Sequence, residues 1–268
     1  MFTPEYRERL RQSLLARARE DQRISGAALT GSAAGGTEDR WSDVDLAFGV
    51  RPDYELAGVI DNWTQIMYRD HGAVAHVDVP AGAWIYRVFL LANTLQVDLA
   101  FAPAAHFGAV SPTFRLVHGE AADQPPRTRQ SPNEMLGLGW LFALHVRSCI
   151  ERGRMWQAEW MVSEVRDQVL ALACKRLGLP TSEARGYDRL PDDVKTRMAG
   201  GLVRELTPAE LWRVFRVAMD CLLDEAVHVD AVLAERIRPT LEEVILPASA
   251  PGVESRKARR RGRALSSG

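Results

Sequence analysis

The chain has 268 residues, 46% hydrophobic and 26% charged, with a formal net charge of −1. That is enough apolar material for two modest cores, and it excludes a disordered or fibrous chain. No apolar run approaches the roughly 18 residues of a membrane span, and the Arg-rich amphipathic start from Met1 to Arg7 lacks the apolar centre of a secretory leader, so the expected location is the cytoplasm.

Thr3 and Pro4 suit the cap and first position of a helix over Pro4 to Glu20. An apolar run from Ala27 to Leu29 leads into a Gly31-Ser32 turn, and Asp43 to Val50 reads as a strand. A helix from about Tyr54 to Asp70 is followed by a β-hairpin: Trp84 to Leu91, the turn Ala92-Asn93-Thr94, and Leu95 to Phe101. Glu120 to Pro132 is polar and proline-rich, the composition of a linker. Beyond it the spacing of apolar residues is helical over Asn133 to Glu151, Trp156 to Leu177, Pro191 to Leu206, Pro208 to Val229 and Asp230 to Ile245. The expected fold class is α+β: a small mixed sheet flanked by helices over residues 1–120, a linker over 121–132, a helical bundle over 133–248 and a disordered basic tail over 249–268.

Two features of the first part carry chemistry. Gly31 permits a turn with positive φ and a close approach to the backbone, and Ser32 offers a hydroxyl and an amide to a phosphate oxygen. Asp43 and Asp45 then stand two apart on one strand, so their carboxylates share a face while Val44 and Leu46 point into the core. Adjacent carboxylates repel, and a hard divalent cation such as Mg²⁺ removes the conflict. Asp98, flanked by Val97 and Leu99 in the hairpin, is a third carboxylate that needs a metal, a cation or a proton. Asp78 competes for that place, but Pro80 follows it at once and marks Asp78 as sitting at a strand terminus.

The run Gly31-Ser32-Ala33-Ala34-Gly35-Gly36-Thr37-Glu38-Asp39-Arg40-Trp41-Ser42-Asp43-Val44-Asp45 resembles the signature of the DNA polymerase beta-like nucleotidyltransferase superfamily, including Asp39 and Ser42. It departs at Gly35, where many small-molecule relatives carry arginine. The two-part plan is similar to that of aminoglycoside and lincosamide nucleotidyltransferases, with residues 1–120 as the nucleotidyltransferase domain and 133–248 as the substrate-binding domain.

The resemblance implies transfer of a nucleoside monophosphate, AMP from ATP, to a hydroxyl of a small molecule such as an aminoglycoside-type antibiotic, with release of pyrophosphate and a role in antibiotic resistance. It implies Mg²⁺ held by Asp43, Asp45 and Asp98, with Asp98 either a ligand or the general base. Gly31, Ser32, Ser42, Asp43 and Asp45 would contact the nucleotide. The helical segment carrying Glu159, Glu164, Arg166 and Asp167 offers an acidic patch to a cationic acceptor, and its plainer reading is a solvated face. Related enzymes can assemble their clefts across a dimer, so a homodimer is allowed. Two alternatives stay open: transfer to a protein or RNA in the manner of antitoxin-like relatives, and a non-catalytic nucleotide-binding regulator.

Charge distribution bears on the partner. Residues 249–268 hold Arg256, Lys257, Arg259, Arg260, Arg261 and Arg263 against Glu254, a balance of +5, which leaves −6 on residues 1–248 of a chain whose total is −1. An acidic body disfavours nucleic acid and suits a cationic small substrate. Cys149, Cys174 and Cys221 lie far apart in apolar surroundings and read as buried small side chains, and the six histidines show no paired zinc spacing. Trp140, Trp156, Trp160 and Trp212 fall at helical spacing and read first as core, with an acceptor pocket as the second reading.

Overall fold

A computed structural model describes residues 1–125 and 129–247. The basic tail over 249–268 and part of the linker lie outside the described residues. The chain divides into two compact units, Met1–Thr128 and Arg129–Gly268. No helix among the described residues is long and apolar enough to cross a membrane.

The first unit runs α1 (Pro4–Glu20), β1 (Ile24–Thr30), α2 (Gly31–Gly35), β2 (Val44–Val50), α3 (Leu56–Asp70), β3 (Ala73–Ala81), β4 (Trp84–Leu91), β5 (Gln96–Pro103) and β6 (Phe114–Gly119). Thr3 caps α1, its hydroxyl accepting from the Tyr6 amide at 3.2 Å, with Pro4 at the start of the helix. The six strands form one sheet in the order β3-β4-β5-β2-β1-β6. Neighbours are antiparallel except β2 and β5, which run parallel at its centre. β2 can lie parallel to β5 because α3 and the strands that follow it bring the chain back to the same end of the sheet.

The two faces of the sheet differ in a way that matters for function. On one, Leu29, Leu46, Phe48, Leu99 and Phe101 pack with Leu10 and Leu14 of α1 and Trp63 and Met67 of α3. Phe48, Trp63 and Phe101 meet with ring centroids 4.7 to 6.1 Å apart. Trp63 is fully buried, and its indole N–H donates to Asp21 at 3.1 Å, which satisfies the one polar atom such burial would orphan. The opposite face carries small residues, Ala28, Ala47, Ala100 and Ala102, beneath Trp84 and Phe107.

Two elements correct the sequence reading. Pro80 does not end its strand: β3 runs on to Ala81, with Pro80 opposite Ile85. β3 is an edge strand, where a residue lacking an N–H costs no ladder bond. Asp78 therefore stands within the strand, opposite Arg87, which grips it with two 2.7 Å hydrogen bonds. The Gly-Ser turn is also more ordered than a turn, because it winds into the single-turn helix α2 with Gly36 closing it in the left-handed region at φ +67°. Past β6, the Ala122 amide donates to the Phe107 carbonyl at 2.7 Å and Gln124 to the Ala105 carbonyl at 3.0 Å, so the chain here stays attached to the first unit.

The second unit is helical: α4 (Pro132–Glu151), α5 (Met155–Arg176), α6 (Asp192–Gly200), α7 (Pro208–Val229) and α8 (Ala231–Val244). Ser131 and Glu134 form a reciprocal capping box at the start of α4, and Thr207 caps α7 ahead of Pro208. α6 stops at Gly200 instead of reaching Leu206: Arg213 of α7 donates to the carbonyls of Gly200, at 2.5 Å, and Leu202, at 3.1 Å, taking acceptors that another helical turn would need. Phe215, Met219 and Leu222 of α7 pack with Val162, Val165 and Val169 of α5. Arg176 and Glu225 form an ion pair at 2.7 Å. The three cysteines are free and buried, as their surroundings in the sequence suggest.

Candidate active site

The centre of the sheet sets the site. β2 and β5 are in register such that Asp45 lies opposite Asp98 and Ala47 opposite Ala100. Alternation puts Val44 and Leu46, both fully buried, on the α1 and α3 face and sends Asp45 and Asp98 to the alanine face. Asp43, two residues before Asp45, adds its charge there. Burial first, and the Asp43 carboxylate second, push the Asp98 carboxyl from 3.8 up to about 6. One oxygen of Asp98 is buried with no hydrogen-bond partner. Gln96 donates to the Asp43 carboxylate at 3.3 Å.

Gly31 stands against this group. It takes φ +57°, and a Cβ there would lie 2.0 Å from a carboxylate oxygen of Asp45. The glycine is required twice over, once by the backbone and once by Asp45, so the close approach that the sequence suggests for a ligand is made by the chain's own carboxylate. Ser32 follows in the first turn of α2, half-buried.

The loop from Gly36 to Ser42 carries the chain from α2 to Asp43, and it is closed by its own hydrogen bonds. Asp39 accepts from the Trp41 amide at 2.8 Å and from the Ser42 hydroxyl at 3.1 Å, while the Asp39 amide donates to the Ser42 hydroxyl at 2.9 Å. These N–H and O–H donors hold the exposed Asp39 carboxyl below its ordinary range. Ser42, expected among the nucleotide contacts, thus directs its hydroxyl to Asp39. Trp41 is exposed, with the Arg40 guanidinium 4.5 Å above its ring. Gly35 is exposed, with nothing closer than 3.7 Å to an added Cβ, so the backbone there accepts a side chain.

Carboxylate oxygens, one of them buried and unpartnered, are the donors a hard divalent cation takes. Among the described residues no three acidic, histidine or cysteine side chains are gathered closely enough to cage an ion by themselves.

Among solved structures, the chain is similar to an aminoglycoside 6-adenyltransferase from Bacillus subtilis, at 12% identity over 91% of this chain and 99% of that one, with a TM-score of 0.41. It is also similar to a nucleotidyltransferase-like protein from Exiguobacterium sibiricum 255-15, at 15% identity over 87% and 80%, with a TM-score of 0.36. No family model matches the sequence, and no curated protein does.

The remaining candidates belong to the second unit. Glu159, Glu164 and Asp167 lie half-buried along α5. Glu159 accepts from the Ser163 hydroxyl at 3.0 Å, and Arg166 lies 3.6 Å from Asp167. The tryptophans correct the sequence reading: Trp212 is core at 8% exposure, but Trp140, Trp156 and Trp160 are exposed, Trp156 at 79%. Helical spacing alone does not tell the two faces of α4 apart, because Trp140, Leu141 and Leu144 make its outer side apolar as well.

Sequence reasoning missed Arg7 and Arg11 of α1 and Glu38 of the loop. Arg7 donates to the main-chain carbonyls of Asp39 at 2.6 Å and Ser42 at 2.9 Å, and Arg11 donates to Glu38 at 2.8 Å. A signal was present: Arg7, Arg11, Leu14 and Ala18 share the helical spacing of a buried face.

Proposed function

We propose that the protein is a Mg²⁺-dependent nucleotidyltransferase that moves AMP from ATP to a hydroxyl of a small cationic molecule. The observation that carries this reading is Asp98 set opposite Asp45 across β2 and β5, within reach of the Asp43 charge and beside a glycine turn that leaves no room for a side chain. A fold gains nothing from setting such groups together, and a triphosphate with its cation makes use of all of them.

Asp43 and Asp45 would hold the cation, which when bound neutralises charge on the triphosphate as the α-phosphorus is attacked. Ser32 at the head of α2 offers its hydroxyl and amide to the phosphates. Asp98, with a pKa near 6, is ionised at neutral pH and basic enough to accept the proton of the attacking hydroxyl. The acceptor oxygen forms a bond to the α-phosphorus, the bond to the bridging oxygen breaks, and pyrophosphate leaves with that electron pair. Glu159, Glu164 and Asp167, with the exposed Trp156 and Trp160 on the same helix, supply carboxylates for amino groups and flat faces for sugar rings. The acidic balance of residues 1–248 favours a cationic acceptor over a nucleic acid.

The test is pyrophosphate release from each of four nucleoside triphosphates with Mg²⁺ and a panel of aminoglycosides, lincosamides and simple sugars. Release should need ATP and one class of acceptor, and it should vanish in Asp45→Asn while the fold persists. Turnover that survives in Asp45→Asn would overturn the reading.

A further inference from the structure

Three charged residues are buried among the described residues, and two of them, Arg7 and Arg11, stand one helical turn apart on α1. A buried guanidinium carries a desolvation cost that only good hydrogen bonding offsets. The core contact of α1 is already made by Leu10, Leu14 and Leu15, so packing does not account for the two arginines; what they hold does. Arg7, 5% exposed, directs its guanidinium to the carbonyls of Asp39 and Ser42, and its Nε lies 3.4 Å from Glu38. Arg11 reaches the same Glu38 oxygen and is itself tied to Glu8. The carbonyl of Ser42 belongs to the peptide that leads into Asp43. The loop from Gly36 to Ser42 has no sheet or helix ladder, so its path is set by these contacts and by the turn around Asp39.

We propose that Arg7 is a positioning residue for the carboxylate pair: by gripping the Ser42 carbonyl, with Arg11 and Glu38 locking it in place, it fixes where Asp43 stands relative to Asp45 and Asp98. The inference rests on the reading of Asp43 and Asp45 as ligands of a metal and a triphosphate. A residue that only stabilised the fold would alter unfolding and leave the affinity of the folded protein unchanged. A residue that orients a ligand alters metal affinity in protein that is fully folded, and outer partners of this kind typically change it about 10- to 100-fold.

The experiment titrates Mn²⁺ into full-length protein with ATP, read by the electron-spin-resonance signal of free Mn²⁺ against the same titration of ATP without protein, for wild type, Arg7→Met and Arg7→Lys. Hydrogen exchange of residues 36–45 is followed alongside. Arg7→Met should weaken Mn²⁺ binding by at least about tenfold and speed exchange in residues 36–45 while β4 and β5 exchange as before. Arg7→Lys, which keeps the charge but replaces the one guanidinium nitrogen that meets both carbonyls with an ammonium on a shorter side chain, should fall between the two, and it carries the test should Arg7→Met not fold. Wild-type Mn²⁺ affinity and exchange in folded variants would overturn the inference alone. Wild-type protein that binds no Mn²⁺ with ATP would overturn the functional reading beneath it, a separate result from the first.

Discussion

Replacing Asp98 with asparagine should make the metal-free protein more stable at neutral pH, although the change removes a side chain from the candidate site. The carboxyl titrates at about 6 in the folded chain against an ordinary 3.8, because burial and the Asp43 charge both disfavour its ionised form. Below about pH 3 the group is protonated whether the chain is folded or not, and it carries no penalty. As pH rises from 3.8 toward 6 the unfolded chain ionises first, so stability falls through that window and stays lower above it. The gap corresponds to about 3 kcal/mol at neutral pH. Asparagine keeps the shape and still buries an oxygen without a partner, which brings the expected gain to about 1–3 kcal/mol. Thermal unfolding in EDTA should show the variant melting about 3–10 °C higher at pH 8, with the difference shrunk to a small fraction at pH 4. Equal melting temperatures at pH 8, or the same difference at both pH values, would refute the argument.

Mg²⁺ with ATP should narrow that difference, because a bound cation offsets the charge repulsion that asparagine removes: at 100 times its dissociation constant a ligand stabilises the native state by about 2.7 kcal/mol, and wild type should gain more than Asp98→Asn in the same melting assay. Gly31→Ala should lose turnover and about 1–3 kcal/mol of stability, since the new methyl lies 2.0 Å from an Asp45 oxygen at a backbone φ of +57°; urea unfolding and the pyrophosphate assay check it. Gly35→Arg should fold as well as wild type, its Cβ meeting nothing within 3.7 Å, so a drop in melting temperature beyond a few degrees would contradict the space described there. Gly139→Ala should cost about 1–3 kcal/mol, read by urea unfolding, because its Cβ would lie 2.7 Å from a buried Leu222 methyl.

Much of the first unit was legible because its signals are local. Thr3-Pro4 starts α1, the apolar run and glycine end β1, and alternation around Asp43 and Asp45 assigns faces that β2 adopts. The local pattern does not separate Asp98 from Asp78, which Val77 and Val79 flank in the same way within β3; the structure separates them, since Arg87 pairs with Asp78 while one Asp98 oxygen is buried without a partner. Pro80 misled because its effect depends on whether the strand is central or at the edge, a property of sheet order that no local pattern carries. The end of α6 was overshot for a similar reason: the acceptors that stop it are taken by Arg213, more than ten residues downstream.

By itself the sequence determined the element types, the glycine turn and the spacing of the two aspartates, since each follows from backbone geometry over a few residues. Only the tertiary structure decided that β5 lies parallel to β2 in the register that sets Asp98 opposite Asp45, that the facing surface is lined with alanines, and that Arg7 reaches 35 residues along the chain to hold the Ser42 carbonyl. Those contacts join segments distant in sequence, and their energies depend on burial and register that exist only once the sheet and α1 have packed.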